Sequence, residues 1–556
     1  MPPMSRAFAS AAAALATLTL AACVSSTAAP EPTAAQTPDS ITPAAIEAHM
    51  RFLASDLLEG REAGTRGYDL AAAYVASQFR QLGLEPAGDK QSYLQEVPLQ
   101  AHWLVKDGAR MAVRAGSRTT RLNMGTQFVV ASSPLHTSSM ASAPAVFAGY
   151  GIDAPAFKMN DYEGLDVNGK VVVVLTGYPS SLPSEEGAHY GSTREKQRTA
   201  AAKGAVALVS VYTERFEKVS PWTRNVQNLD AMQMSWIGPD GAPFVVAPPI
   251  QATVLMSPAD GAALFDGAPR SFADVRAESV KGAPKGFPLA VSIEVAQRSR
   301  HERRTSANVA GVLPGSDPAL RAEHVVVLGH LDHEGIGAEV NGDRLYNGAL
   351  DNAAGIAAVL ETARAAATSP TRPRRSILFL AVTAEEKGLI GSEYFARNPT
   401  VPSGSLVGAV NIDMPILLYD FTDVIAFGAK HSSLGPVVAD AAKQIGLTLT
   451  PDPMPDEAVF TRSDHYRFVQ QGVPAIMLST GWNTPAGAGE GGKAFGGFLA
   501  QHYHKPSDDL NLPIDYNAAA KFTRANYLIA RGIADADAKP TWNEGDFFGE
   551  LFSARK

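Results

Sequence analysis

Three times between Val325 and Asp413 a short apolar run stops at a side chain able to bind a cation or carry a proton. Val325-Val326-Val327-Leu328 leads into His330-x-Asp332, Ser376 to Val382 leads into Glu385-Glu386, and Leu406 to Ile412 leads into Asp413. Helical stretches, Ala353 to Ala367 and Ile390 to Arg397, lie between the runs. A continuous apolar run suits a strand buried on both faces, and its alternation with helices implies a mostly parallel sheet flanked by helices. Parallel strands share one carboxyl edge, and ligands of such sheets bind in the crevice beyond it. Asp351, opening the helix after the first strand's loop, and His504, following the last strand in Gln501 to Asp509, belong to the same edge.

Each of these groups has a bland reading. Taken alone, His330-x-Asp332 is a loop pair and Glu385-Glu386 a solvated helix start of the kind the helix dipole favours. Asp351 alone is an N-cap, and Asp413 alone a polar strand end. Together they put several carboxylates in one crevice, where they repel and raise one another's pKa. Cations remove that conflict, and carboxylate with imidazole suits a divalent first-row metal such as zinc. Asp332 is placed to orient the imidazole of His330. The neighbours Glu385 and Glu386 diverge, so one can bind metal while the other acts as a general base.

His330-x-Asp332, Asn347 to Gly355, Ala384 to Ser392, Asn411-Ile412-Asp413 and Tyr503 to Asp508 resemble, in order and in full, the motifs of the co-catalytic zinc exopeptidases. That group includes the bacterial leucyl aminopeptidase, aminopeptidase Y and glutamate carboxypeptidase types. The resemblance implies an α/β fold with a mostly parallel central sheet, and two zinc ions per chain bridged by Asp351. Glu386 and His504 complete one site, His330 and Asp413 the other. Glu385 is then the general base and Asp332 the carboxylate that orients His330. Asp464-His465-Tyr466 matches a family segment near the substrate pocket, with a capping turn as the alternative. The implied activity is hydrolysis of N-terminal residues from peptides. A carboxypeptidase, a dipeptidase or a one-zinc glutaminyl cyclase of the same fold, or a non-catalytic binding protein on this scaffold, are the alternatives.

The texture changes from about 135 to 285, where short strands alternate with Gly- and Ser-rich loops and no catalytic cluster occurs. Gly149-Tyr150-Gly151 and Asn168 to Val172 resemble parts of the protease-associated domain that many members of the family carry as an insertion. The expected organisation is a zinc peptidase domain over 41–134 and 286–540, a mainly-β insert over 135–285 and a C-terminal tail over 541–556. His189 is expected to face solvent from a loop. The Gly60 to Gly67 loop, with Arg61 and Arg66, is expected to be a solvated turn, with a substrate contact by its arginines as the alternative.

Arg6 followed by the apolar run Ala7 to Leu20 has the layout of a secretory signal, too short to span a bilayer. Leu20-Ala21-Ala22-Cys23 resembles a bacterial lipobox. The expectation is a signal peptide over 1–22, a lipid on Cys23, and a flexible Ala/Pro/Thr-rich tether over 23–40. Val24 rather than aspartate favours sorting to the outer membrane, facing the periplasm. Cys23 is the chain's one cysteine, so no disulfide is expected. A net charge of −8 and 19% charged residues give no basic footprint for nucleic acid. Peptides are the expected partners, and oligomeric state is not legible.

Overall fold

The long strand Phe287–Leu313 runs through two β-sheets and joins them. The computed structural model describes residues 40–553 apart from 106 and 488; the leader, Cys23 and the tether lie outside the described residues. No helix among those described is long and apolar enough to cross a membrane.

The first sheet carries the motif-bearing strands. Ser376–Val382, His324–His330, Leu406–Asn411 and Ala475–Thr480 are neighbours in that order and all parallel. Antiparallel strands flank this core: Phe287–Leu313 and then Leu94–Leu104 on one side, Asp423–Phe427 on the other. The alternation of strand side chains divides the interior into two layers. Val325, Val327, Ile377 and Phe379 pack beneath Pro43–Leu53, Ala354–Thr368 and Tyr516–Asp535. Val326, Leu328, Leu378 and Leu380 face Phe395, Phe468 and Phe548. Such two-sided burial is why these strands read as unbroken apolar runs. The helix starts follow local chemistry: Thr42 accepts the Ala45 N–H ahead of Pro43, and Asp515 accepts from Asn517 and Ala518.

The second sheet runs Arg118–Leu122, Arg110–Ala115, Phe287–Leu313, Ser138–Phe147, Val171–Leu175, Ala207–Val211, Ala252–Met256 and Phe128–Val130. Strands between 110 and 130, grouped by sequence with the peptidase domain, thus pair with the insert. The texture change near 135 marks a polar loop, whereas the topological change comes earlier, where the 110–122 hairpin leaves to pair with the far half of Phe287–Leu313. Conversely, Gln233–Trp236 lies within the insert by sequence yet pairs with Leu94–Leu104 of the first sheet.

Two local expectations are corrected. His189 sits in the helix Ser184–Gly191 rather than a loop, is buried, and places Nδ1 2.6 Å from the Tyr466 hydroxyl. The Gly/Ser/Glu-rich wording of that segment hid an apolar face, because Tyr190 and Ala188 pack inward with it. The stretch after 540 ends in the helix Phe547–Ser553, with Phe548 and Phe552 buried against the second layer. Phe548 touches His431 and Phe460 of the main module at ring separations of 4.8 and 5.0 Å. Glu185 of the insert, His431 and Asp546 form a buried chain of contacts at 2.8 and 2.6 Å beside it. Phe548→Ala is expected to cost about 3–5 kcal/mol of stability, the usual loss for a fully buried phenylalanine, read as a lower urea midpoint with the slope retained.

Candidate active site

All five predicted ligands and both predicted catalytic carboxylates gather at the carboxyl edge of the parallel strands. Each strand stops there because the chain must turn, and several turns pass through left-handed backbone at residues other than glycine. Ala384 (φ 52), Met414 (φ 43) and His504 (φ 54) are the clearest cases. Such geometry is uncommon for side-chain-bearing residues and clusters at functional sites. The turn at Ala384 brings the N–H groups of both Glu385 and Glu386 to one carboxylate. Asp332 Oδ1 accepts from Glu385 at 3.0 Å and Oδ2 from Glu386 at 3.2 Å.

That contact corrects one assignment. The carboxylate of Asp332 does not orient His330; its backbone carbonyl does, accepting from His330 Nδ1 at 3.1 Å. The effect on the imidazole is the one expected, because an Nδ1–H donor leaves Nε2 free as a ligand atom. Sequence spacing brings Asp332 near His330 but does not reveal which of its oxygens turns inward.

Asp351 is the centre of the arrangement. Its Oδ1 lies 3.2 Å from His330 Nε2, and its Oδ2 lies 3.2 Å from His504 Nε2. His330 Nε2 is also 3.0 Å from Asp413 Oδ1, and His504 Nε2 is 3.1 Å from Glu386 Oε2. The carboxylate therefore joins two half-sites, His330 with Asp413 and His504 with Glu386. Two ligand atoms bound to one tetrahedral cation at ~2.0–2.1 Å sit roughly 3.3 Å apart. The observed separations and the nitrogen–oxygen donor set fit a cation in each half-site.

The electrostatics point the same way. Burial works against a charged His330, but Asp413, Glu385 and the Asp351 contact outweigh it and hold its pKa well above the ordinary range. His504 is raised in the same manner, chiefly by Glu386. Burial would raise Glu386, yet His504 and His333 hold it well below the usual carboxylate range. Asp351 is likewise lowered, because His330 and His504 prevail over burial and Glu386. Glu385 is the exception. Burial, then Glu386 and Asp413, push it well above the usual range against the pull of His330. In this it differs from the candidate ligands Asp351 and Glu386, and an upward shift is the property a general base near neutral pH requires.

Several residues that build this site were not singled out by sequence. Arg61, expected in a solvated turn, is 1% exposed. Its guanidinium donates to the carbonyls of Leu331 at 2.9 Å, Asn347 at 2.6 Å and Gly348 at 3.1 Å, and to that of Leu53. It thus ties the first helix to the loops that carry Asp332 and Asp351. Burial lowers its pKa to about 10, against Asp508, Asp332 and Asp351. His333 places Nδ1 2.7 Å from Glu386 Oε1, fixing that ligand's other oxygen. Asp508 accepts from the N–H groups of Leu350 at 2.9 Å and Asp351 at 3.0 Å. Glu334 lies 3.6 Å from His504 Nδ1 and pairs with Lys387 at 2.5 Å. His333 and Glu334 directly follow His330-x-Asp332, so proximity in sequence was an available signal. Arg61 offered none, being some 270 residues from the loops it holds.

A cavity of about 150 Å³ opens onto His330, Asp351, Glu385, Asp413 and His504. Its walls are mostly apolar, including Ile425, Phe427, Met477 and Phe495, with Val219 and Arg224 supplied by the insert. Asp464, His465 and Tyr466, the expected substrate contacts, do not line it. The short helix His465–Val469 turns these side chains into the interior. His465 packs on Phe460 at 5.3 Å, and Tyr466 meets His189 of the insert. From the same segment it is Ser463 that reaches the site, its hydroxyl donating to Asp413 Oδ2.

Comparison with known proteins agrees with this geometry. The model of peptidase family M28 matches residues 308–530, the span that holds every ligand named above. The chain is 31% identical over 217 residues to leupeptin-inactivating enzyme 1 of Streptomyces exfoliatus, covering 37% of this chain and 44% of that protein. It is 30% identical over 168 residues to aminopeptidase NAALADL1 of Mus musculus, covering 29% of this chain and 20% of that protein. The chain thus spans less than half the length of these curated relatives. Among solved structures, an aminopeptidase from Aneurinibacillus sp. strain AM-1 superposes with a TM-score of 0.51 at 19% identity, covering 91% of this chain and 96% of that one; it shares the fold. The candidate ligand set and the parallel strands that carry it thus fall within the one segment, 308–530, that matches the model of peptidase family M28.

Proposed function

We propose that the chain is a zinc-dependent aminopeptidase that removes N-terminal residues from peptides, with two zinc ions per chain. The observation that carries this reading is the Asp351 carboxylate set between His330 and His504, one oxygen toward each. Zinc is the metal named for relatives such as a probable zinc metalloprotease of Pyricularia oryzae. Others are named as aminopeptidases, including a probable leucine aminopeptidase 2 of Aspergillus oryzae.

His330 and Asp413 would hold one ion, His504 and Glu386 the other, with Asp351 shared. When bound, such a pair polarises the scissile carbonyl and makes water acidic enough to attack at neutral pH. The chain's own groups do the rest. Glu385 takes the proton of the attacking water and delivers it to the leaving nitrogen, so that one C–N bond breaks and one C–O bond forms. Asp332 holds the Glu385 and Glu386 amides, and so fixes the base relative to its neighbouring ligand. The small apolar cavity accepts one side chain, which suits cleavage at a chain end and an apolar terminal residue.

A second reading has its own support. Arg224 and Arg462 line the same cavity. Arg462 pairs with Glu457 at 3.1 Å, and Arg224 lies 5.1 Å over the Tyr503 ring. Cations at that wall suit a substrate carboxylate, as a carboxypeptidase or dipeptidase would need. Product analysis of free and N-blocked peptides separates the readings: an aminopeptidase releases the N-terminal residue and leaves blocked peptides intact.

The insert is further proposed to be a protease-associated domain, and Cys23 to carry a lipid that anchors the exported protein in the cell envelope. Mass spectrometry of the mature N-terminus tests the latter; an intact Met1 or an unmodified Cys23 counts against it.

Glu385→Gln should lower kcat by roughly 10²–10⁴-fold, the range for losing a general base, with zinc content unchanged. Equal loss of metal and activity would make Glu385 a ligand instead. Asp332→Ala should lower kcat more than it raises KM, because it frees the backbone that positions Glu385. Chelation should abolish turnover, and zinc titration should restore it with an endpoint at two equivalents per chain.

A further inference from the structure

A groove of about 530 Å³ also borders Glu385. Glu385, Arg462, Tyr503 and His504 border both spaces, so the two meet at the reacting centre. One wall of the groove is the Glu385 to Ile390 turn of the main module. The other is built by the insert, from Gln233–Trp236 and the returning segment 244–247. Trp236 and Phe244 stack at 4.5 Å, Tyr394 meets Trp236 edge-on at 5.6 Å, and Arg397 lies 4.8 Å over Phe244. That wall is therefore a packed surface and not a loose loop.

Gln233–Trp236 is also an edge. It pairs with Leu94–Leu104 on one side, in the register Gln233 with His102 and Ser235 with Gln100. Ile237 N–H donates to Pro98 on that same side at 2.8 Å, whereas the Trp236 carbonyl faces the other way and accepts from Phe244 at 2.8 Å. In an antiparallel strand the N–H and C=O of one residue point together and alternate along the chain. The returning segment closes on the outer edge at one end, through the Ile237–Pro243 bridge and the Phe244 N–H, and beyond it Met234 presents its peptide groups to that edge, where no strand pairs with it among the described residues. An unpaired edge is a template for an extended chain. Here it borders a groove that begins at the proposed base.

We infer that this groove binds the leaving side of an extended oligopeptide, which pairs as a strand with the open Met234 end of the insert's edge, so that oligopeptides rather than dipeptides are the substrates for which the site is built. This rests on the aminopeptidase reading. The N-terminal residue fills the 150 Å³ cavity, the scissile bond lies at Glu385, and the following residues run between the two modules. A groove of this volume holds a drug-sized ligand, roughly three residues of peptide. The insert then contributes directly to recognition by lending a strand to the first sheet.

The test is a series of C-terminally amidated substrates beginning with leucine, from leucine amide to leucine followed by five residues, assayed on the full zinc-loaded protein. kcat/KM is expected to rise about tenfold as the leaving side grows and to level off after roughly three residues, the gain of one or two net backbone hydrogen bonds. A second series carries a single N-methyl group at successive leaving-side amides. Strand addition predicts a loss at every second position only, because alternate amides face the edge. Turnover of leucine amide with no dependence on length overturns the inference and leaves the aminopeptidase reading standing. A rise with length that is indifferent to the position of the N-methyl group overturns the strand pairing. Absence of turnover with every free-amino substrate overturns the aminopeptidase reading itself.

Discussion

Everything at the site depends on one electrostatic conflict. Asp332, Asp351, the adjacent pair Glu385 and Glu386, and Asp413 are carried by four segments to one buried edge. Burying ionised carboxylates without partners is among the costliest acts in folding. The chain meets part of that cost with fixed donors: backbone amides for Asp332, Arg61 at the rear, Lys387 against Glu334, and His333 on Glu386. The remaining negative charge is concentrated around Asp351, between two imidazoles. An arrangement so unbalanced suits bound cations, and the imidazole-to-carboxylate separations match the edges of a tetrahedral site.

The fold serves this conflict by geometry. Parallel strands end together, so polar groups far apart in sequence share a crevice. The interior offers two apolar layers, one beneath the long helices and one beneath the aromatic cluster around Phe548. Rigid strands hold the ligands, while the left-handed turns at Ala384, Met414 and His504 aim them. Backbone strain of this kind persists only where the surroundings over-determine it. Arg61 and Asp508, each bonded to the backbone of the ligand-bearing loops, are such surroundings.

The second module is more closely joined to the first than a separate domain would be. One strand runs through both sheets, another crosses back from the insert to extend the first sheet, and Tyr466 reaches His189 from the main module. Helix Ser184–Gly191 is held further by Glu185 to His431 and Lys430. Glu185 stays ionised, its pKa lowered to about 2 because His431 and Lys430 outweigh burial, while His431 between two carboxylates is raised to about 9. These contacts fix the insert over the catalytic edge, where Val219 and Arg224 become part of the cavity wall.

The amino-acid sequence by itself determined the sheet and which candidate ligands share its carboxyl edge. Strand Ser376–Val382 and helix Ile390–Arg397 fall where the apolar period ended, because buried strands and amphipathic helices are written in local periodicity. His330, Asp351, Glu386, Asp413 and His504 were legible because each closes such an element. Tertiary structure alone decided the rest. Whether Asp332 uses its carboxylate or its carbonyl depends on where Ala384 turns. Whether Asp464-His465-Tyr466 faces substrate or core depends on what packs against that helix. Arg61 became an internal brace only because distant carbonyls converge on it, and the strands from 110 to 130 changed partners because the one strand that both modules share is long enough to serve two sheets. Local sequence records what an element is; which neighbour it meets is set by long-range packing, and no spacing rule encodes that.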